Sequence, residues 1–131
     1  MARVASETRG REARRFPRST PTLPLDGMPV MELVHAADKR TAIRKARVIY
    51  VMAAAVTGSS YGVNVQIGTY AHPNKFTVHT TGTSKALGTI DTVSLTGENY
   101  LDVDECLVVR TSYGKTGAGA VVVQFELNEV E

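Results

Sequence analysis

Residues 63–69 read Val-Asn-Val-Gln-Ile-Gly-Thr, and this alternation constrains the fold more than any other stretch of the chain. Successive side chains of an extended strand point to opposite faces. Val63, Val65, Ile67 and Thr69 therefore share one face, and Asn64, Gln66 and Gly68 share the other. The pattern predicts a strand with one face in a core.

The same rhythm recurs between turn residues. Met31-Glu32-Leu33-Val34-His35 reads as an entry strand before the polar connection Asp38-Lys39-Arg40-Thr41. Arg47 to Val56 is ambiguous, because Ile43, Ala46, Tyr50 and Ala53 also fit one face of a helix. The cluster Val48-Ile49-Tyr50-Val51 and the turn Thr57-Gly58-Ser59-Ser60 favour a strand instead. Pro73-Asn74 breaks the chain before Phe76 to Thr80, where Phe76, Val78 and Thr80 are expected on a common face. Gly82 to Gly88 reads as a loop, and Ile90, Val93 and Leu95 lead into a turn at Thr96-Gly97-Glu98-Asn99. Leu107 to Thr111 and Ala120 to Val130 are expected to pair as a hairpin across the loop Ser112 to Gly119, with Val121, Val123, Phe125 and Leu127 facing the core. No βαβ alternation is present. The expectation is an all-β antiparallel β-sandwich over residues 27–131, the jelly roll being one form it could take.

Residues 1–26 differ in kind. They hold Arg3, Arg9, Arg11, Arg14, Arg15 and Arg18 with Pro17, Pro21 and Pro24; the six arginines against Glu7, Glu12 and Asp26 make +3, leaving −1 for the body. Ordering such a segment costs about 1–2 kcal/mol per residue, and it offers few large apolar groups to offset this. It reads as an extended basic arm, steadied by neighbouring subunits.

Several chemistries are excluded by what the chain lacks. Trp is absent and Cys106 is the only cysteine, so one copy can build neither a disulfide framework nor a cysteine-based zinc site. Cys106 is expected to be a small buried residue beside Leu107 and Val109. The longest apolar stretch, Val48 to Val56, falls far short of the ~20 residues that span a bilayer as a helix. His35, His72 and His79 never form H-x-H or H-E-x-x-H. Glu98, Asp102, Asp104 and Glu105 form an acidic cluster without EF-hand spacing, better suited to solvent or to docking a basic arm. Gly114-Lys115-Thr116 lacks the earlier glycine of a phosphate loop, since Val109 stands there. Gly58-Ser59-Ser60-Tyr61-Gly62 has G-x-S-x-G spacing, but no His lies beside a carboxylate in a way that suggests a triad. The chain is read as a non-enzyme without cofactor, metal site or membrane span. Nucleic acid is a poor partner for the arm, whose charge is modest and whose sole aromatic is Phe16. Tyr50, Tyr61, Tyr70, Tyr100 and Tyr113 are too scattered for a sugar platform.

Ile43-Arg44-Lys45-Ala46 enters an apolar strand that Val56-Thr57-Gly58 closes. Val65-Gln66-Ile67-Gly68-Thr69 follows, with Pro73 behind it, and Thr116 to Val123 comes near the end. In this order the pieces resemble small phage virion β-sandwich proteins of the capsid decoration (cement) or head-fibre type, over roughly residues 42–127. The resemblance implies a homotrimer or other homo-oligomer on the capsid exterior, binding the major capsid protein and stabilising the assembled shell. Outside the shared pattern, Arg9, Arg11, Arg14, Arg15 and Arg18 of the arm are expected to dock on the partner. Tyr61, Phe76 and Val122 are expected at the subunit interface. Two other readings stay open: a fibre or tail-associated protein binding a receptor or glycan, and a capsid protein whose Arg-rich arm contacts the packaged genome.

Overall fold

The computed structural model describes residues 14–25, 30–56, 63–81, 84–95, 99–112 and 116–130. The strands are β1 (Arg14–Ser19), β2 (Leu23–Pro24), β3 (Met31–Ala36), β4 (Thr41–Val56), β5 (Val63–Gly68), β6 (Thr77–Thr81), β7 (Ile90–Thr92), β8 (Tyr100–Leu101), β9 (Cys106–Ser112) and β10 (Thr116–Glu129). They form two antiparallel sheets. The six-stranded sheet runs β1-β10-β4-β7, with β2 also on β10 and β8 also on β4; the four-stranded sheet runs β3-β9-β5-β6. Their apolar faces meet as a β-sandwich.

The spine is the pairing of β4 with β10, 16 and 14 residues long. β-branched residues suit this pleated, half-buried surface, and Val48, Val121 and Val123 deliver them inward. Register shifts flank Ala118 and Ala120 and fall again between Glu126 and Leu127, local kinks that let strands of such length coil around a core. Near the first group, Gly119 has φ +137°, and a Cβ there would stand 2.9 Å from Ala54 Cα. Only glycine fits both demands.

Ile43, Ala46, Val48 and Tyr50 of β4 and Val121, Val123, Phe125 and Leu127 of β10 supply one half of the core; Val65, Ile67, Leu107 and Val109 supply the other. The alternation expected over residues 63–69 is thus realised at Val65 and Ile67, the Val63 side chain lying outside what is described. Gly68 points away from the core beneath the 69–75 loop, where a Cβ would fall 2.6 Å from the backbone nitrogen of Lys75.

Four expectations are corrected. The sandwich begins at Arg14 and not at residue 27: β1 pairs with β10 from Arg14↔Glu129 to Ser19↔Gln124, and Phe16, Leu23 and Leu25 enter the core. Residues 14–25 thereby bury apolar side chains within their own chain, which offsets part of their ordering cost. Secondly, β9 and β10 are not a hairpin. β9 lies between β3 and β5, while β10 crosses to the other sheet to meet β4, the only partner matching its length. Thirdly, Phe76 precedes β6 and turns into the core at 3% exposure while Val78 and Thr80 face outward. The N–H of Phe76 reaches the Ile67 carbonyl as the chain leaves the Pro73 turn, breaking the period of two. Lastly, Cys106 begins β9 and is only half-buried.

Candidate docking face

The outward side of the six-stranded sheet joins an apolar row to a basic groove. Because Val121, Val123 and Val48 point into the core, their neighbours Val122, Gln124, Arg47 and Ile49 point out. Register places Val122 beside Ile49 and Ile49 beside Ile90, so three apolar side chains from β10, β4 and β7 form a continuous exterior row. The next row is polar: Gln124, Arg47 and Thr92. Lys45 and Glu126 face one another beyond it.

These polar rows floor a concavity of about 990 Å³ that β1 and the segment before β8 wall in, lined among others by Arg15, Arg44, Lys45, Arg47, Leu95 and Tyr100. Arg15 Nη1 lies 3.3 Å from Glu126 Oε1, and Arg47 Nη2 donates to Gln124 Oε1 at 2.7 Å. Glu126 is the one carboxylate among the described residues of the lining, against four cations. The groove is therefore an anion-attracting surface set on rigid strands.

A second polar cluster closes the sandwich where β6 and β7 approach. Tyr50, with its side chain in the core, donates its hydroxyl to Asp91 Oδ2 at 3.0 Å. His79 Nε2 of the opposite sheet stands 3.2 Å from that oxygen, and Lys85 Nζ is 3.4 Å from Oδ1. Burial pushes the Asp91 carboxyl up, but the hydrogen bonds from Tyr50 and His79 and the positive Lys85 outweigh it and hold the group below its ordinary value. This cluster ties one sheet to the other.

Of the acidic cluster, Asp102, Asp104 and Glu105 occupy the turn between β8 and β9, and Glu98 lies outside the described residues. Asp104 adopts φ +72°, a left-handed conformation that aspartate tolerates. The Asp102 N–H donates to Glu105 Oε1 at 2.8 Å; this bond, against burial and with help from nearby Lys75, lowers the Glu105 pKa. Among the described residues no three His, Cys, Asp or Glu side chains gather as metal ligands. No helix there is long and apolar enough to cross a membrane.

Of the residues singled out by sequence, Arg9, Arg11 and Tyr61 lie outside the described residues, and Arg14 is placed by its backbone alone. Arg15 and Arg18 are exposed on β1 but part company: Arg15 joins the groove, while Arg18 caps the Phe16 ring at 4.6 Å from its centroid. Phe76 is core and cannot serve an interface by its ring, whereas Val122 stands in the exterior apolar row. Lys45 and Arg47 were missed as groove residues. Their signal was Lys45 and Arg47, spaced by two and next to Arg44, in a strand that is apolar over most of its remaining length.

No family model and no curated protein matches the sequence. The fold does have a counterpart. A chain from the solved "Cyanophage Pam1 capsid asymmetric unit" aligns with a TM-score of 0.58 over 90% of this chain and 86% of that one, at 9% identity. At this identity the likeness concerns the fold: the strands that carry the basic groove belong to an architecture also present in that capsid assembly.

Proposed function

We propose that this protein is a phage virion structural protein, a capsid decoration protein that binds the assembled shell from outside and reinforces it. The observation that carries the reading is the exterior of the β4–β10 spine. An apolar row adjoins a groove whose described lining holds four cations and one carboxylate, on strands whose other face already fills a core. A solitary sandwich gains nothing from such a face, whereas an assembling one covers it. The sandwich shared with a chain of a cyanophage capsid supports the same reading.

The mechanism is mechanical. Contacts to neighbouring major capsid subunits must break before the shell opens, and a protein that binds only the assembled state stabilises it by mass action. Arg15 and Arg18, with Arg9, Arg11 and Arg14 ahead of them, supply charged docking contacts; Val122, with Tyr61, serves contacts between copies in a homotrimer or other homo-oligomer. The test is sedimentation of purified protein with undecorated phage capsids, followed by heating. Co-sedimentation and a raised rupture temperature are expected. Protein left in the supernatant, or retained instead by host cells or glycans, would overturn the reading.

A further inference from the structure

We infer that the basic groove receives the acidic turn Asp102–Glu105 of a second copy of this chain, making the exterior of the six-stranded sheet a copy-to-copy interface. This specifies the self-association invoked above and rests on that reading for its biological use, but the chemistry is carried by the two surfaces themselves.

Four cations line the groove against Glu126 alone among its described residues. Glu126 is the cross-strand partner of Lys45, yet its carboxylate is engaged by Arg15, so among the described residues Lys45 has no carboxylate bound to it. Lys45 and Arg47 project side by side from alternate positions of β4. Like charges held this close on rigid strands repel one another until an anionic group enters between them. Leu95 and Tyr100 add apolar wall.

The turn has the complementary form. Val103 stands at its tip, 56% exposed, between exposed Asp102 and Asp104. Backbone bonds from Asp104 to the Ala37 carbonyl at 2.7 Å and from Glu105 to the Asp102 carbonyl at 3.0 Å fix the shape in advance, so little ordering cost remains for binding. The same bonds, with Arg40 3.9 Å from Asp102, hold the turn on the β3–β4 connection and away from its own groove. A second molecule can supply what the first withholds. Seated there, it would set Val103 against the Leu95 and Tyr100 wall and lie next to the apolar row of Val122, Ile49 and Ile90. Glu126 in the groove floor disfavours a polyphosphate occupant, whose charges cannot be spaced around it as two aspartates can.

The experiment is sedimentation velocity of the full chain over a concentration series at low and high salt. Self-association weakened by salt is expected. Lys45→Glu with Arg47→Glu should weaken it about tenfold or more, and Asp102→Lys with Asp104→Asn should do likewise, the asparagine keeping the left-handed backbone accessible. The variant carrying all four changes should regain association, with circular dichroism melts showing that each variant folds. A monomer at every concentration, association indifferent to both sets of changes, or no recovery in the combined variant would overturn the inference. Groove variants that lose capsid sedimentation while keeping their oligomeric state would overturn it too, by assigning the groove to the capsid. Loss of capsid binding by every form with the self-association pattern intact would instead fault the decoration reading alone.

Discussion

Asp91 makes a polar tie between the two sheets. Its carboxylate accepts from Tyr50 at the floor of the core and meets His79 from the facing sheet. Asp91→Asn should lower unfolding free energy by about 1–3 kcal/mol in denaturant titration, the range for a partly buried charged hydrogen-bond centre. The pH dependence has a defined sign. Folding lowers the Asp91 pKa from 3.8, so its contribution is complete above that value and is lost as pH falls through the lower folded-state value. Melting temperature recorded between pH 7 and pH 2 should fall less in Asp91→Asn than in the parent over the acid end. Gly68→Ala should cost about 2 kcal/mol or more, because the added methyl would meet backbone atoms of Pro73 and Lys75 that have no rotamer to yield. Neither residue announced itself in the sequence. Asp91 lies 41 positions from Tyr50, and Gly68 reads as one more outward residue until the 69–75 loop is seen above it.

Strands were legible wherever a local period carried them, and their pairings were not. Val65 and Ile67 alternate with Asn64 and Gln66 over neighbouring residues, which is all that a period of two requires. The partner of β10 is decided by length and by which sheet holds an unfilled edge, neither written in the 107–130 stretch that suggested a hairpin. β1 was hidden by its composition. Arginine and proline argue for an arm, but the Phe16 ring is buried in the core, and Pro17 occupies an outermost strand, where a missing N–H costs little. Phe16→Ala should therefore cost about 3–5 kcal/mol, and deleting residues 1–25 should abolish cooperative unfolding, since Leu23 and Leu25 leave with them. An arm with no stake in the fold would leave both melts unchanged. The candidate face was half visible. Val122 was placed on an interface by the two-sided apolarity of its strand, while Lys45 and Arg47 became a groove only when β10 brought Glu126 and Gln124 beside them.

For the molecule as a whole, the division of labour runs through the six-stranded sheet: its inner side fills the core, and its outer side carries the apolar row and the groove proposed for docking. Ile90→Ser on the outer row should change stability by no more than about 0.5 kcal/mol while weakening assembly, a separation that a core residue such as Val123 could not show. A cryo-electron map of phage particles assembled in the presence of this chain is the most direct measurement of the proposed role. Copies on the shell exterior, touching the major capsid protein and one another, are predicted; copies confined to the tail, lodged against the genome inside the shell, or missing from the particle would contradict a decoration role.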